Sequence, residues 1–217
     1  MNATITPKKP SFKQQQMQFR ENAILDSVNR LLSQKGFDLM TMDEVAADVG
    51  IAKASLYKHF PSKESLAAAS MTRLLDHTLV EVNRQPKHLT SKDKLKAIVR
   101  WGIALHLQGE MPYLPSTRSS IQQALLGHDP YIERIQVLTT QLGEWILDAQ
   151  EKEQLSAALP AEIILYTIFA RACDPVADFL KMGGAFTDSD IIDLLVHTCF
   201  DGLTEMRDKP SRSVRVS

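Results

Sequence analysis

Gly50 divides two short helical segments, and that division constrains this chain more than any other feature. The run TMDEVAADVGIAKASLYKHFPSKESL, from Thr41 to Leu66, reads as helix, turn, helix and the capped start of a third helix. Thr41 and Glu44 have capping-box spacing, in which the hydroxyl caps a backbone N–H and the carboxylate reaches back. Val45, Ala46 and Val49 form a small apolar face for the first helix. Gly50 stands where the chain must turn sharply, a position favouring positive φ, and Ile51 plugs the turn. The next helix is expected from about Ala52 to His59, with Leu56 and Phe60 facing inward. Pro61 ends it, Ser62 caps its successor, and Lys63 lies in the new first turn.

The second helix carries Lys53, Ser55, Tyr57, Lys58 and His59 in one short stretch. So many hydrogen-bonding groups suit the major groove of DNA better than a buried core. An ordinary hairpin inside a helical bundle is the competing reading. The complete string GIAKASLYKHFPSKESL resembles the N-terminal signature of the TetR family of transcriptional regulators. In that signature a Leu-Tyr-x-His-Phe block ends the recognition helix, and Ser/Thr-Lys-Glu opens the next. Ile24, Val28, Leu31 and Leu32 recur upstream at helical spacing, and Lys35-Gly36-Phe37 closes that helix, as in the family's first helix. The close resemblance covers roughly Phe19 to Leu75; beyond it only the layout is similar. Ala52 replaces the usual Ser, Thr or Pro, leaving no side-chain N-cap, and Ala54 stands where Gly is frequent. An Ala54 methyl can meet a thymine methyl but blocks the closest backbone approach. Both departures leave the base preference open.

The resemblance and the chemistry together imply roles. Lys53, Ala54, Ser55 and Lys58 are candidates for base-edge or near-base contacts. Tyr57 and His59 are candidates for phosphates, His59 equally for packing at the helix end. Thr41 and Lys63, at helix N-termini, are expected phosphate clamps.

The chain of 217 residues accommodates a small DNA-binding module, expected over residues 1–66, and a larger helical body over 67–217. The net charge of -1 does not advertise nucleic-acid binding, so charge must act locally. Residues 1–65 hold 9 Lys+Arg against 7 Asp+Glu; the remainder holds 16 against 19. Lys8, Lys9, Lys13 and Arg20 either add phosphate contacts or, for the first two, belong to a solvated tail. No signal peptide is evident, and the apolar run at 163–170 is too short to span a bilayer. Cys173 and Cys199 make neither a disulfide framework nor a zinc site, and read as small apolar residues in a reducing cytoplasm. No metal or cofactor is expected, and the protein is placed on the nucleoid.

The fold class is all-α, with about nine helices. Beyond the Ser62 helix, expected to reach Arg84, Thr90 with Asp93 opens one through about Gln108. Ser116 caps one ending near Gly127. Asp129-Pro130 reads as N-cap plus N1 proline for a helix to about Gln154. Pro160 opens the penultimate helix, ending at Gly183-Gly184. Thr187 with Asp190 caps the last, expected to run to about Arg207. Asp174-Pro175 should kink or break the penultimate helix, where proline costs roughly 3 kcal/mol.

Ile163, Ile164, Leu165, Tyr166, Ile168 and Phe169 wrap most of one late helix; Ile191, Ile192, Leu194, Leu195, Val196, Cys199, Phe200 and Leu203 do the same for the last. A helix apolar on several sides needs two partners, most simply its own core and a second copy. A homodimer through the last two helices would set two recognition helices on a pseudo-palindromic, double-stranded operator. The resemblance also implies a repressor released when a small molecule binds the helical body. Polar or aromatic groups on inward faces are the pocket candidates: Trp101, His106, Tyr113, Arg118, Gln122, Trp145, Tyr166, Phe169 and Arg171. Arg118, preceding an uncharged segment, either meets an anionic ligand or is a surface or carboxylate-paired arginine, and Trp101 and Trp145 read equally as core residues. The alternative is a helical body controlled by a protein partner, which an exposed apolar patch in place of a cavity would favour. Enzymatic motifs are missing: there is no Gly-rich phosphate loop, GxSxG or HExxH.

Overall fold

A computed structural model describes residues 11–111 and 121–203. Ten α-helices and no strand occur among the described residues: α1 Phe12–Leu39, α2 Met42–Val49, α3 Lys53–His59, α4 Lys63–Arg84, α5 Ser91–Leu107, α6 Ile121–Leu126, α7 Asp129–Glu151, α8 Ala161–Ala172, α9 Val176–Met182 and α10 Asp188–Phe200. The expected nine become ten because the anticipated break at Asp174-Pro175 is complete, splitting the penultimate helix into α8 and α9. Proline cannot supply the N–H that would continue α8. The Asp174 carboxylate instead accepts from the Val176 N–H and pairs with Arg171 at 2.6 Å.

Local chemistry explains the other ends. Thr41, Ser62 and Thr187 each close a capping box with Glu44, Ser65 and Asp190, and the Thr90 hydroxyl accepts from the Asp93 N–H. Gly50 ends α2 in the left-handed conformation, φ 73°, where a Cβ would be strained. Gly36, φ 74°, interrupts α1 at the expected Lys35-Gly36-Phe37 stop, after which the chain resumes as a short turn to Leu39. Two expectations need correction. His128, without a side-chain cap, precedes α7, so Asp129 sits inside the first turn with Pro130 after it. Helix α10 ends at Phe200, with Gly202 at φ 77° beyond it, short of Arg207. The expected Ser116 cap lies outside the described residues.

The buried residues form two clusters joined by α4. The N-terminal one gathers Ile24, Val28, Leu32, Val45, Leu56 and Leu66 with Met71, and α6 adds Ile121 and Leu125 to it. The second gathers Leu75 and Val82 of α4 with Leu95, Ile103, Leu138, Ile146, Ile168 and Ile191. The two cores meet within α4, between Met71 and Leu75. No helix among the described residues is long and apolar enough to cross a membrane.

Candidate nucleic-acid interface and ligand cavity

Helix α3 is anchored by one fully buried side chain, Leu56, with Ile51 and Phe60 packed at its two ends. Lys53, Ala54, Tyr57 and Lys58 are exposed. Their spacing of one, three and one residues puts them on one continuous face. Ser55 is half-buried at its flank. Ala52 precedes the helix without a side-chain cap, leaving the first backbone N–H groups open to an acceptor. Tyr57 exposes 44% of its surface.

Lys53 of that face and the interface candidates Thr41, His59 and Lys63 have partners within the chain. Lys53 forms an ion pair with Asp43 in the first turn of α2 at 2.8 Å, and the hydrogen bond to that carboxylate raises its pKa. The Thr41 hydroxyl accepts from the Glu44 N–H and donates to the Glu44 carboxylate. That carboxylate also meets Lys35, and the Lys35 and Thr41 hydrogen bonds hold its pKa below the ordinary value. His59 Nδ1 lies 3.3 Å from Glu21 of α1, with its side chain only 11% exposed. Lys63 donates to the carbonyls of Phe37 and Asp38, with its ammonium 4.3 Å from the centre of the Phe37 ring. Thr41, His59 and Lys63 thus tie the helix-turn-helix together, whereas the α3 face is left outward. Asp43 was not anticipated; its i,i+10 relation to Lys53 across a turn carries no helical periodicity to reveal it.

The helical body holds a cavity of about 250 Å³ between α4, α5, α7 and α8. Trp101, Tyr166 and Phe169 line it, as expected, together with Met71, Thr78, Tyr131, Leu142 and Cys173, which sequence reasoning did not single out. Apolar lining residues look like any core position in a sequence, so no signal distinguished them. His106 is not at the cavity: it is buried against Asp178, its Nε2 at 3.0 Å. Gln122 is exposed on α6, and Trp145 packs on the second core beneath Lys94. Arg171 is held by Asp174 at the α8 break. These four therefore lie away from this cavity, each with an intramolecular partner or at the surface. Tyr113 and Arg118 lie outside the described residues.

Burial pushes the Cys173 thiol up to about 11, and burial also raises Cys199 and Tyr131. No Asp, Glu, Lys, Arg or His lines the cavity among the described residues, and burial keeps the Cys173 thiol and the Tyr131 phenol in the wall neutral at pH 7. No cluster of His, Cys, Asp or Glu among the described residues could hold a metal ion. A larger, charged cleft of about 740 Å³ lies between α1, α4 and α5 and shares Leu74 and Trp101 with the cavity.

The comparisons with known proteins differ in how much of the chain they cover. Residues 24–70 match the family model for bacterial regulatory proteins, tetR family. Over 57 residues the chain is 42% identical to the biofilm operon icaADBC HTH-type negative transcriptional regulator IcaR of Staphylococcus aureus (strain Newman). That match covers 26% of this chain and 31% of the relative, so the chain matches about a third of that protein's length. Solved structures share the fold over much greater lengths. FadR from Bacillus subtilis, in complex with stearoyl-CoA, has a TM-score of 0.60 at 13% identity, covering 84% of this chain and 99% of that one. AibR, in complex with isovaleryl coenzyme A and operator DNA, has a TM-score of 0.61 at 22% identity, covering 83% and 98%. Residues 24–70 thus match the tetR family of bacterial regulatory proteins, and the solved structures share the fold of the chain.

Proposed function

We propose that this protein is a homodimeric, sequence-specific DNA-binding repressor, released from its operator by a small molecule bound in the helical body. The outward face of α3 carries the reading. A short helix anchored by Leu56 and presenting Lys53, Ala54, Tyr57 and Lys58 has the dimensions and chemistry of a major-groove reader. Lys53, Ala54, Ser55 and Lys58 approach base edges, Tyr57 reaches phosphate, and the uncapped N–H groups of α3 add to the anion field. His59, Thr41 and Lys63 hold the reader in place, with Thr41 and Lys63 near enough to the backbone to assist.

Dimerisation is supported by apolar side chains left outward on the late helices. Ile163 and Tyr166 of α8, Phe179 and Met182 of α9 and Leu194 of α10 are exposed, while Ile164, Ile168, Ile191 and Leu195 of α8 and α10 face the core. An apolar surface of this extent marks an interface. Effector control is supported by the cavity, which favours a small ligand over a protein partner. AibR and FadR show that this fold can hold a coenzyme A ester. A ligand binding the released form 100-fold better shifts the operator equilibrium by about 2.7 kcal/mol. The protein acts on the nucleoid, in the cytoplasm.

The test is selection of operator sequences with purified protein, then fluorescence anisotropy on the selected duplex. Lys53→Ala combined with Tyr57→Ala is expected to abolish binding while light scattering still reports a dimer. Retained affinity in that double variant refutes the assignment of α3 as the reader.

A further inference from the structure

The uncharged cavity and the charged cleft lie on opposite sides of the α4–α5 pair, with Leu74 and Trp101 as the partition common to both. On α4 the side chains separate by helical spacing: Leu75 and Thr78 line the cavity, whereas His77, Glu81 and Arg84 line the cleft. No Asp, Glu, Lys, Arg or His is among the described cavity-lining residues. An apolar cavity of about 150 Å³ accommodates benzene, six heavy atoms. On that scale the 250 Å³ here takes about ten.

The cleft has the opposite character. Arg73, His77 and Arg84 face it, as do Asp26, Glu81 and Glu110. Arg73 bonds through its terminal nitrogens to Asp26 and the Asn22 carbonyl. Its Nε–H is buried and has no hydrogen-bond partner among the described residues. A buried donor of this kind calls for an acceptor. Asp26 is already held by Arg73, and Glu81 by Gln85.

We propose that the effector is a compact amphipath: an uncharged apolar group of about ten heavy atoms in the cavity, joined past Leu74 and Trp101 to an anionic head held in the cleft by Arg73 Nε–H and Arg84. The proposal rests on the ligand-released repressor described above and names its ligand class. It also places the head against Asp26, Asn29 and Arg30 of α1. Arg30 pairs in turn with Asp48 of α2, so the head lies one residue away from the helix-turn-helix.

The test titrates the full chain, without DNA, with n-alkanols and n-alkanoates of four to fourteen carbons. Calorimetry follows the unsubstituted protein, and fluorescence follows a Trp145→Phe variant, in which Trp101 is the single tryptophan. Affinity is expected to rise about fourfold per methylene and to level off near ten heavy atoms. Alkanoates should bind more tightly than alkanols of equal length. Leu142→Phe should move the optimum down by about three heavy atoms, the number it adds to the cavity. Arg73→Lys and Arg84→Gln should each reduce the preference for carboxylate while leaving alkanol binding intact. Affinity that keeps climbing to fourteen carbons overturns the size limit. Alkanols binding as well as alkanoates overturns the head site, and binding by neither series overturns the whole proposal. Operator anisotropy is read separately: an alkanoate that binds but leaves the operator complex intact counts against ligand release, not against the ligand class.

Discussion

Gly102 separates α5 from α8, and replacing its hydrogen with a methyl group should wedge the body apart. A Cβ at position 102 would lie 2.8 Å from Ala172 Cβ, 3.5 Å from Ala172 Cα and 3.7 Å from Met111 Cε. Carbon atoms rest at about 3.5–4.0 Å, so α5 and α8 must part by roughly 0.8 Å. Ala172 cannot swing away, because its Cβ is fixed to the last turn of α8. Overpacking of this kind costs about 1–3 kcal/mol. Against it stands the gain from replacing a helical glycine with alanine, about 0.5–1 kcal/mol. Gly143→Ala isolates that gain, since Gly143 lies inside α7 and a Cβ there meets nothing within 4 Å. Gly143→Ala should therefore raise Tm, and Gly102→Ala should lower it. At about 2–4 °C per kcal/mol, the two should differ by roughly 6 °C at one fixed protein concentration. Ala172→Gly in the Gly102→Ala background should recover most of the loss in a double-mutant cycle. If Gly102→Ala melts at or above Gly143→Ala, the close approach of α5 and α8 is not a constraint and the reasoning fails.

Other outcomes follow from the surfaces. Asp43→Asn removes the partner that holds Lys53 in the free protein, and operator affinity should rise by up to about fivefold in anisotropy, most at low salt; weaker binding would mean that Asp43 orients Lys53 productively. Ile163→Asp or Leu194→Asp places a charge on the outward late-helix face and should reduce the light-scattering mass to one chain, with operator affinity falling in parallel; an unchanged mass puts the dimer surface elsewhere. Cys173, pushed up to about 11 from an ordinary 9.0, should alkylate about a hundredfold more slowly at pH 8 in the native protein than after unfolding. Because its folded pKa is raised, the contribution of the neutral thiol to stability is unaffected below pH 9 and is lost as pH rises from about 9 to about 11. Native alkylation at the unfolded rate would contradict its burial.

The helix-turn-helix was legible because its signals are local. Caps at Thr41, Ser62, Thr90 and Thr187 act within three residues, and Gly50 states its own backbone conformation. Asp174-Pro175 announced its break for the same reason, although kink and full separation look alike in sequence. What depends on distant neighbours was not legible. The Phe37 carbonyl beneath Lys63 and the Glu21 carboxylate beside His59 come from α1 and carry no mark in the helix-turn-helix sequence itself. Arg171 and His106 read as pocket residues, but their carboxylate partners lie at the break and on α9, and neither residue lines the cavity. The cavity was half visible: its aromatic residues stand out, whereas Met71, Leu142 and Cys173 carry no mark separating lining from core.

Helix α4 belongs to both cores at once and runs without interruption for 22 residues, about 33 Å. It is therefore a single lever. Pivoted at its body end, a tilt of only 10° sweeps its start, where Ser62 follows α3, through about 6 Å. Successive major grooves on one face of B-DNA recur every 34–36 Å or so, and two recognition helices must keep that pitch. In the proposed dimer, opposed tilts of the two levers change the pitch by up to about 12 Å, a third of the repeat. In the proposed repressor, a ligand seated beside Leu74 and Thr78 would need to move its surroundings very little to release the operator.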